Sequence, residues 1–438
     1  MSRTATARTP LPEGTVPVAA ALLIAGIATY AFFKVGTWAV GGAESFKPIS
    51  SLWFATFALA PGFFLPLEQE LGRALAHRRA VGQGGRPVVE KIVRLSVVLV
   101  VIVVIGILAV SPLIASNYFS GNWLMVIALI VAFGAYAPAH LARGICSGSG
   151  RFRQYAIVMG TDGVTRIVLC VALAVVGVEA VGPYGFAVAL APLVGVGYVY
   201  SRNGLRTEPG PEASWGEVTP NLGWLLLGSV FAASLLNAGP IATTLLADSS
   251  QDAQVTQFAY GVLLARIPLF MFQAVQAALL PRLSRLAARG ELSEFLGGLR
   301  RLMVVVAAVG VVGTLGALVL GPWAIELVYG ADLSGRTLAM LALGSALYMV
   351  ALGLAQAVIA LKGHALVALG WATGVIAFLL GTWLSSDDLF RRVEIGLLLS
   401  SIASVVSFGF ALRHQLHLGA RPDEGSVMEA ITDMPLET

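Results

Sequence analysis

Between residues 17 and 412 the chain repeats one pattern about twelve times: an apolar run of roughly twenty residues, then a polar connection. At 1.5 Å per residue in a helix, such a run covers a hydrocarbon core of about 30 Å, where every backbone N–H and C=O must be satisfied within the segment. The runs lie at 17–42, 48–67, 92–113, 122–146, 155–177, 182–200, 220–246, 257–281, 300–321, 336–361, 364–384 and 392–412. With 57% hydrophobic and only 12% charged residues and a mean hydropathy of +0.83, the chain has too few charges to cover a soluble surface. The expected fold class is therefore an all-α integral membrane protein with about twelve transmembrane helices. Cys146 and Cys170 both fall in apolar runs, so neither a disulfide framework nor a metal site is expected, and no cofactor is implied.

The basic residues orient the spans. If every run crosses, 21 of the 28 Lys and Arg lie on one side, four (Lys47, Arg336, Arg391, Arg392) on the other, and three within the spans. Such a bias marks the cytoplasmic side, so both termini are expected there. The basic residues cluster between apolar spans and not on one domain, which argues against a nucleic-acid partner. The expected organisation is a cytoplasmic tail at 1–16, a six-helix bundle at 17–200, a cytoplasmic linker at 201–219, a second bundle at 220–412 and a polar tail at 413–438.

The division into halves rests on an internal repeat. "LGRALAHRRAVGQGGRPVVEKIVRLSVVLVVIVVIGILAVSPLI" follows the second run, and "LSRLAARGELSEFLGGLRRLMVVVAAVGVVGTLGALVLGPWAIEL" follows the eighth. Each passes from a basic segment with a Gly-containing turn, through a basic helix start, to an apolar span closed by Ser-Pro or Gly-Pro. Two six-span halves of equal direction define parallel repeats about an axis along the membrane normal, an arrangement that flanks a central cavity.

Three cations stand inside spans, where each costs about 2.5 to 3.5 kcal/mol at mid-bilayer on an insertion scale. Arg166 has Asp162 one turn earlier, a spacing that pairs them on one helix face; the pair reads as structural or as a coupling site. Lys34 and Arg266, each about 13 Å from the outer end of its span, have no such neighbour. At 100° per residue Val262, Arg266, Phe270 and Gln273 share a face, with Gln276 at its margin, while Tyr30, Lys34, Thr37 and Trp38 share a face of the first span. Facing each other across a cleft, the two stripes would make a wet, positive pocket suited to phosphate. Against this stand plainer readings: Lys34 snorkelling outward, Arg266 serving the carbonyl that Pro268 frees, and Asn237, Gln273 and Gln276 making inter-helix hydrogen bonds. Pro61, Pro138, Pro192, Pro240 and Pro268 read as hinges or fixed kinks.

"QFAYGVLLARIPLFMFQAVQAALLPRLSRLAARGELSEF", "HLARGICSGSGRFRQYA" and "LPLEQELGRALAHRRA" resemble segments of bacterial polysaccharide flippases of the MOP (multidrug/oligosaccharidyl-lipid/polysaccharide) exporter superfamily. The resemblance covers nearly the whole chain. It implies a two-lobed, MATE-like fold whose spans one, two, seven and eight line the cavity, and a transporter rather than an enzyme. Its implied substrate is an undecaprenyl-pyrophosphate-linked, anionic oligosaccharide, moved by alternating access to the outer leaflet of the bacterial cytoplasmic membrane for surface polysaccharide synthesis. Glycosyltransferases or a polymerase of the same pathway would be partners.

The substrate-binding set so expected is Lys34, Arg266, Tyr30, Asn237, Gln273 and Gln276. Drug-exporting relatives place an acidic coupling residue in span one or seven, where this chain has Lys34 and Asn237. Lipid II flippases are similar too, but have additional helices and a cationic residue in span two, which the run 48–67 lacks. A glycan polymerase or ligase would need a large outer loop, whereas "SNYFSG" and "LADSSQDAQVT" are short. A major-facilitator carrier fits the connections poorly, and a non-transporting membrane scaffold stays open.

Overall fold

The computed structural model describes residues 15–218, 222–269, 272, 283, 286, 287 and 289–418. Among these residues the chain is helical and contains no strand. The first half consists of α1 (Thr15–Ala39), α2 (Ala43–Ala80), α3 (Arg86–Ala109), α4 (Trp123–Gly148), α5 (Phe152–Val175) and α6 (Val181–Ser201). The second consists of α7 (Leu222–Leu246), α8 (Asp252–Ala265), α9 (Leu292–Tyr329), α10 (Gly335–Ala360), α11 (His364–Leu384) and α12 (Leu389–His417).

Eleven of these helices, α8 excepted, are long and apolar enough to cross a membrane. Their ends are set by local chemistry. The side chains of Asn122, Ser334 and Asp388 accept N–H bonds from Leu124, Thr337 and Arg391, capping α4, α10 and α12. Gly330 ends α9 in the left-handed conformation at φ 64°. Pro61, Pro138, Pro192 and Pro240 all lie inside continuous helices. Pro268 coincides with a break: α8 ends at Ala265 and Arg266 is a turn residue.

The two halves repeat one packing order. α1 lies on α5 as α7 lies on α11; α4 lies on α6 as α10 lies on α12; and α5 with α6 matches α11 with α12. Between the halves runs α2, which packs on α4 of its own half and on α7 and α8 of the other. Gly62 makes that seam tight, because a Cβ there would stand 3.1 Å from the Val230 Cα.

The bundle has a terminal face, carrying the start of α1 and the end of α12, and an opposite face. At the opposite face the halves are latched together. Lys47 Nζ lies 2.6 Å from Asp252 Oδ1, Thr256 Oγ1 donates to the Ala43 carbonyl at 2.7 Å, and the Ser51 and Thr244 hydroxyls are 3.3 Å apart. Lys47, counted as a loop residue from hydropathy, is thus a buried residue of α2, 5% exposed.

Candidate functional site

Pro268 has no N–H to give Leu264, so the α8 ladder loosens one turn earlier. The Arg266 N–H bonds back to the Leu263 carbonyl at 3.2 Å, a three-residue step, and the same carbonyl accepts the Tyr30 hydroxyl at 2.8 Å. α8 also begins at Asp252, earlier than hydropathy implies, so Arg266 sits about 21 Å from the helix start and not 13 Å. Its side chain is therefore deep in the bundle, 8% exposed.

Arg266 is held by neutral groups alone. Nη1 donates to Asn237 Oδ1 at 3.1 Å, Nη2 donates to the Leu236 carbonyl, and the guanidinium lies 5.4 Å from the centre of the Phe54 ring on α2. Asn237, 1% exposed, fixes this geometry by donating Nδ2 to the carbonyls of Ala233 at 2.9 Å and Phe57 at 3.2 Å. Among the described residues no carboxylate pairs with Arg266. The guanidinium borders a cavity of about 40 Å³ lined also by Tyr348, Ser345, Ser400 and Ser401. The cavity is lined wholly by residues of the second half; a planar cation with spare donors, held by dipoles beside its hydroxyls, is chemically an anion receptor.

Lys34 does not face Arg266. It is exposed and lines a separate, open hollow of about 560 Å³ with Thr37, Trp38 and Tyr329. The helical wheel explains the divergence. Tyr30 and Thr37 reach α8, through the Leu263 carbonyl and a 2.5 Å contact with the Tyr260 hydroxyl, and Lys34 lies roughly 40–60° round the helix from both. The expected face-to-face pair of cations is thereby replaced by one buried cation and one at the margin of α1. Of the expected substrate set, Tyr30, Asn237 and Arg266 are brought together; Gln273 and Gln276 lie outside the described residues.

Asp162 and Arg166 form the ion pair their spacing implies, at 2.7 Å, and Arg166 Nη2 also donates to the Tyr136 hydroxyl at 3.1 Å. Arg166 stacks 4.4 Å from the Trp53 ring centre and 5.2 Å from that of Phe57. α2 therefore carries an aromatic cluster, Trp53, Phe54 and Phe57, with a buried arginine of each half against it. A second network escaped hydropathy. Glu68, 5% exposed, accepts from Arg143 at 2.7 Å, His140 at 2.8 Å and Tyr155 at 3.0 Å. Hydropathy placed Glu68 one residue past its span; α2 continues to Ala80 and buries it.

Two six-helix lobes packed in the same order and joined along α2, α7 and α8 make up the MATE-type fold. An inward-facing multidrug resistance MATE family transporter of the MOP superfamily superposes with TM-score 0.67 and 14% identity, over 91% of this chain and 98% of that one. A point mutant of the Vibrio cholerae MATE transporter VcmN superposes with TM-score 0.64 and 14% identity, over 92% and 97% of the two chains. A sequence model of the family described as lipid II flippase MurJ matches residues 185–361. Two uncharacterized Mycobacterium tuberculosis proteins are 28% identical: one over 284 residues, 61% of this chain and 62% of its own length, the other over 345 residues, 72% and 71%. The chain thus spans less than two thirds of the first of these relatives. The fold and the matching family are those of transporters and not of enzymes.

Proposed function

We propose that this protein flips a lipid-linked, anionic oligosaccharide, its undecaprenyl-pyrophosphate carrier included, across the bacterial cytoplasmic membrane by alternating access, for surface polysaccharide synthesis. The observation that carries this reading is Arg266: a buried arginine without a carboxylate partner among the described residues, held by Asn237 and a carbonyl at the seam between lobes. A cation so placed costs free energy that an anionic ligand recovers, whereas a cationic drug would be repelled. The basic bias supports a cytoplasmic terminal face. The Lys47–Asp252 pair closes the seam at the opposite face, as alternating access requires of one of its states. Lys34, at the margin of α1, offers a second phosphate contact where the lipid tail would leave the seam. Enzymes that build or polymerise the glycan are the expected partners.

A second reading, transport of lipid II, is favoured by the family match at 185–361, which includes Arg266. Both substrates share the pyrophosphate that Arg266 would bind. Reconstitution separates them: fluorescent lipid-linked oligosaccharide and fluorescent lipid II are placed in vesicles, and dithionite is used to destroy outer-leaflet label. The protein is expected to make the inner-leaflet oligosaccharide reachable; acceleration of lipid II alone establishes the second reading, and acceleration of neither refutes both.

A further inference from the structure

On the terminal face, the loop 81–85, the turn 149–151 and the inter-lobe linker at 206–209 enclose a pocket of about 440 Å³ that is separate from the seam. Arg79, Arg151 and Arg206 line it, with Glu208. The neighbouring arginines are consumed by the protein: Arg78 binds Glu217 at 2.6 Å and the carbonyls of Gly84 and Pro211, and Arg73 binds Glu70 at 2.8 Å. Those of the pocket are not. Arg79 and Arg206 have no side-chain hydrogen bond or carboxylate partner among the described residues. Arg151 spends Nη1 on the carbonyls of Gly204 at 2.7 Å and Arg206 at 2.9 Å, leaving Nε and Nη2 without a protein acceptor among those residues.

The three arginines line one pocket, Arg79 and Arg206 with exposed side chains. The Arg79 guanidinium lies over Gly150, a residue at φ 70° beside Arg151, and Arg151 in turn grips the backbone of Arg206. Three arginines against one carboxylate, Glu208, which pairs with none of them among the described residues, leave the pocket with a net positive charge that favours an anion. The walls are preformed. A Cβ on Gly84 would overlap the Pro209 carbonyl, one on Gly210 would overlap that of Gly84, and the Arg86 N–H donates to the Glu208 carbonyl at 3.0 Å. The amides of Gly84 and Gly85 have no acceptor among the described residues, which adds donors to the lining.

We propose that this pocket binds a phosphate-bearing anion and thereby clamps the inter-lobe linker to the first half. Arg79 lies about 18 Å beyond the end of the apolar run at residue 67, so the site is in water at the membrane surface. A free phosphate compound and the headgroup of an anionic lipid can both reach it.

The test is thermal melting of the full chain, as wild type, Arg266→Gln and Arg79→Gln/Arg206→Gln. Each is measured in detergent with inorganic pyrophosphate, and in nanodiscs of phosphatidylcholine with or without phosphatidylglycerol. Because the Arg79 and Arg206 side chains have no protein partner among the described residues, the double variant should melt at or slightly above wild type without ligand. The expected result is a saturable rise in melting temperature that persists in Arg266→Gln and is lost in the double variant. A rise with pyrophosphate identifies a free phosphate compound, and one confined to phosphatidylglycerol identifies a headgroup. No rise under either condition, or a rise kept by the double variant and lost in Arg266→Gln, overturns the site.

Discussion

Arg266 is a buried charge supported by dipoles, so its removal should have opposite consequences for stability and for transport. Arg266→Leu removes a buried charge that has no carboxylate partner among the described residues; melting in detergent should be unchanged or improved, by up to about 1–4 kcal/mol, while flipping in vesicles is lost. A variant that loses both together would make the residue merely structural. Glu68 predicts the reverse. Glu68→Gln leaves the half-buried Arg143 and its neighbours without their carboxylate and should cost about 1–3 kcal/mol, read as a lower melting temperature, and Arg143→Met added to it should recover part of the loss. These two sites also show what could be read from the chain. The pairing of Asp162 with Arg166 was legible because one helical turn brings them together. The contact of Arg266 with Asn237, 29 residues apart, was not, because it depends on how α7 meets α8. Nor was the meeting of Glu68 with His140 and Arg143, which depends on α2 crossing α4 at a depth that hydropathy underestimates.

Among the elements, α2 and α8 are the ones on which the proposed mechanism turns. Both belong to the seam, both reach the opposite face, and there Lys47 and Asp252 join them as a buried pair. Lys47→Ala or Asp252→Ala should open that face. A cysteine at Ser51, whose hydroxyl meets that of Thr244, should then react faster with a membrane-impermeant maleimide, and the exchange Lys47→Asp with Asp252→Lys should slow it again. Equal labelling in all three would mean that the pair does not hold the face closed. The hydrophobic runs located the spans of the described helices to within several residues, since twenty apolar residues admit few alternatives. They could not locate the α8 break at Arg266 or the turns by which α2 and α9 outrun the bilayer, because length beyond the membrane leaves no hydropathic signature. Lys34 was misplaced for a related reason. Sharing a stripe on a helical wheel does not tell which edge of the stripe the neighbouring helix covers, and here α8 covers Tyr30 and Thr37.

For the molecule as a whole, the repeated packing order makes two bodies joined along α2, α7 and α8, which in the proposed mechanism rock about that seam, with the direction taken from the basic bias. The fold was legible because it follows from twelve spans and an internal repeat; the seam was not, because no single helix contains it. What unites the scales is one charge placed where two bodies meet, and its most direct test is affinity. Purified wild type and Arg266→Gln are titrated with undecaprenyl pyrophosphate in detergent, following intrinsic fluorescence. Loss of a charge-assisted contact of about 1.5–3 kcal/mol predicts binding weakened roughly 10- to 100-fold in the variant. Equal affinity of the two proteins would contradict the account.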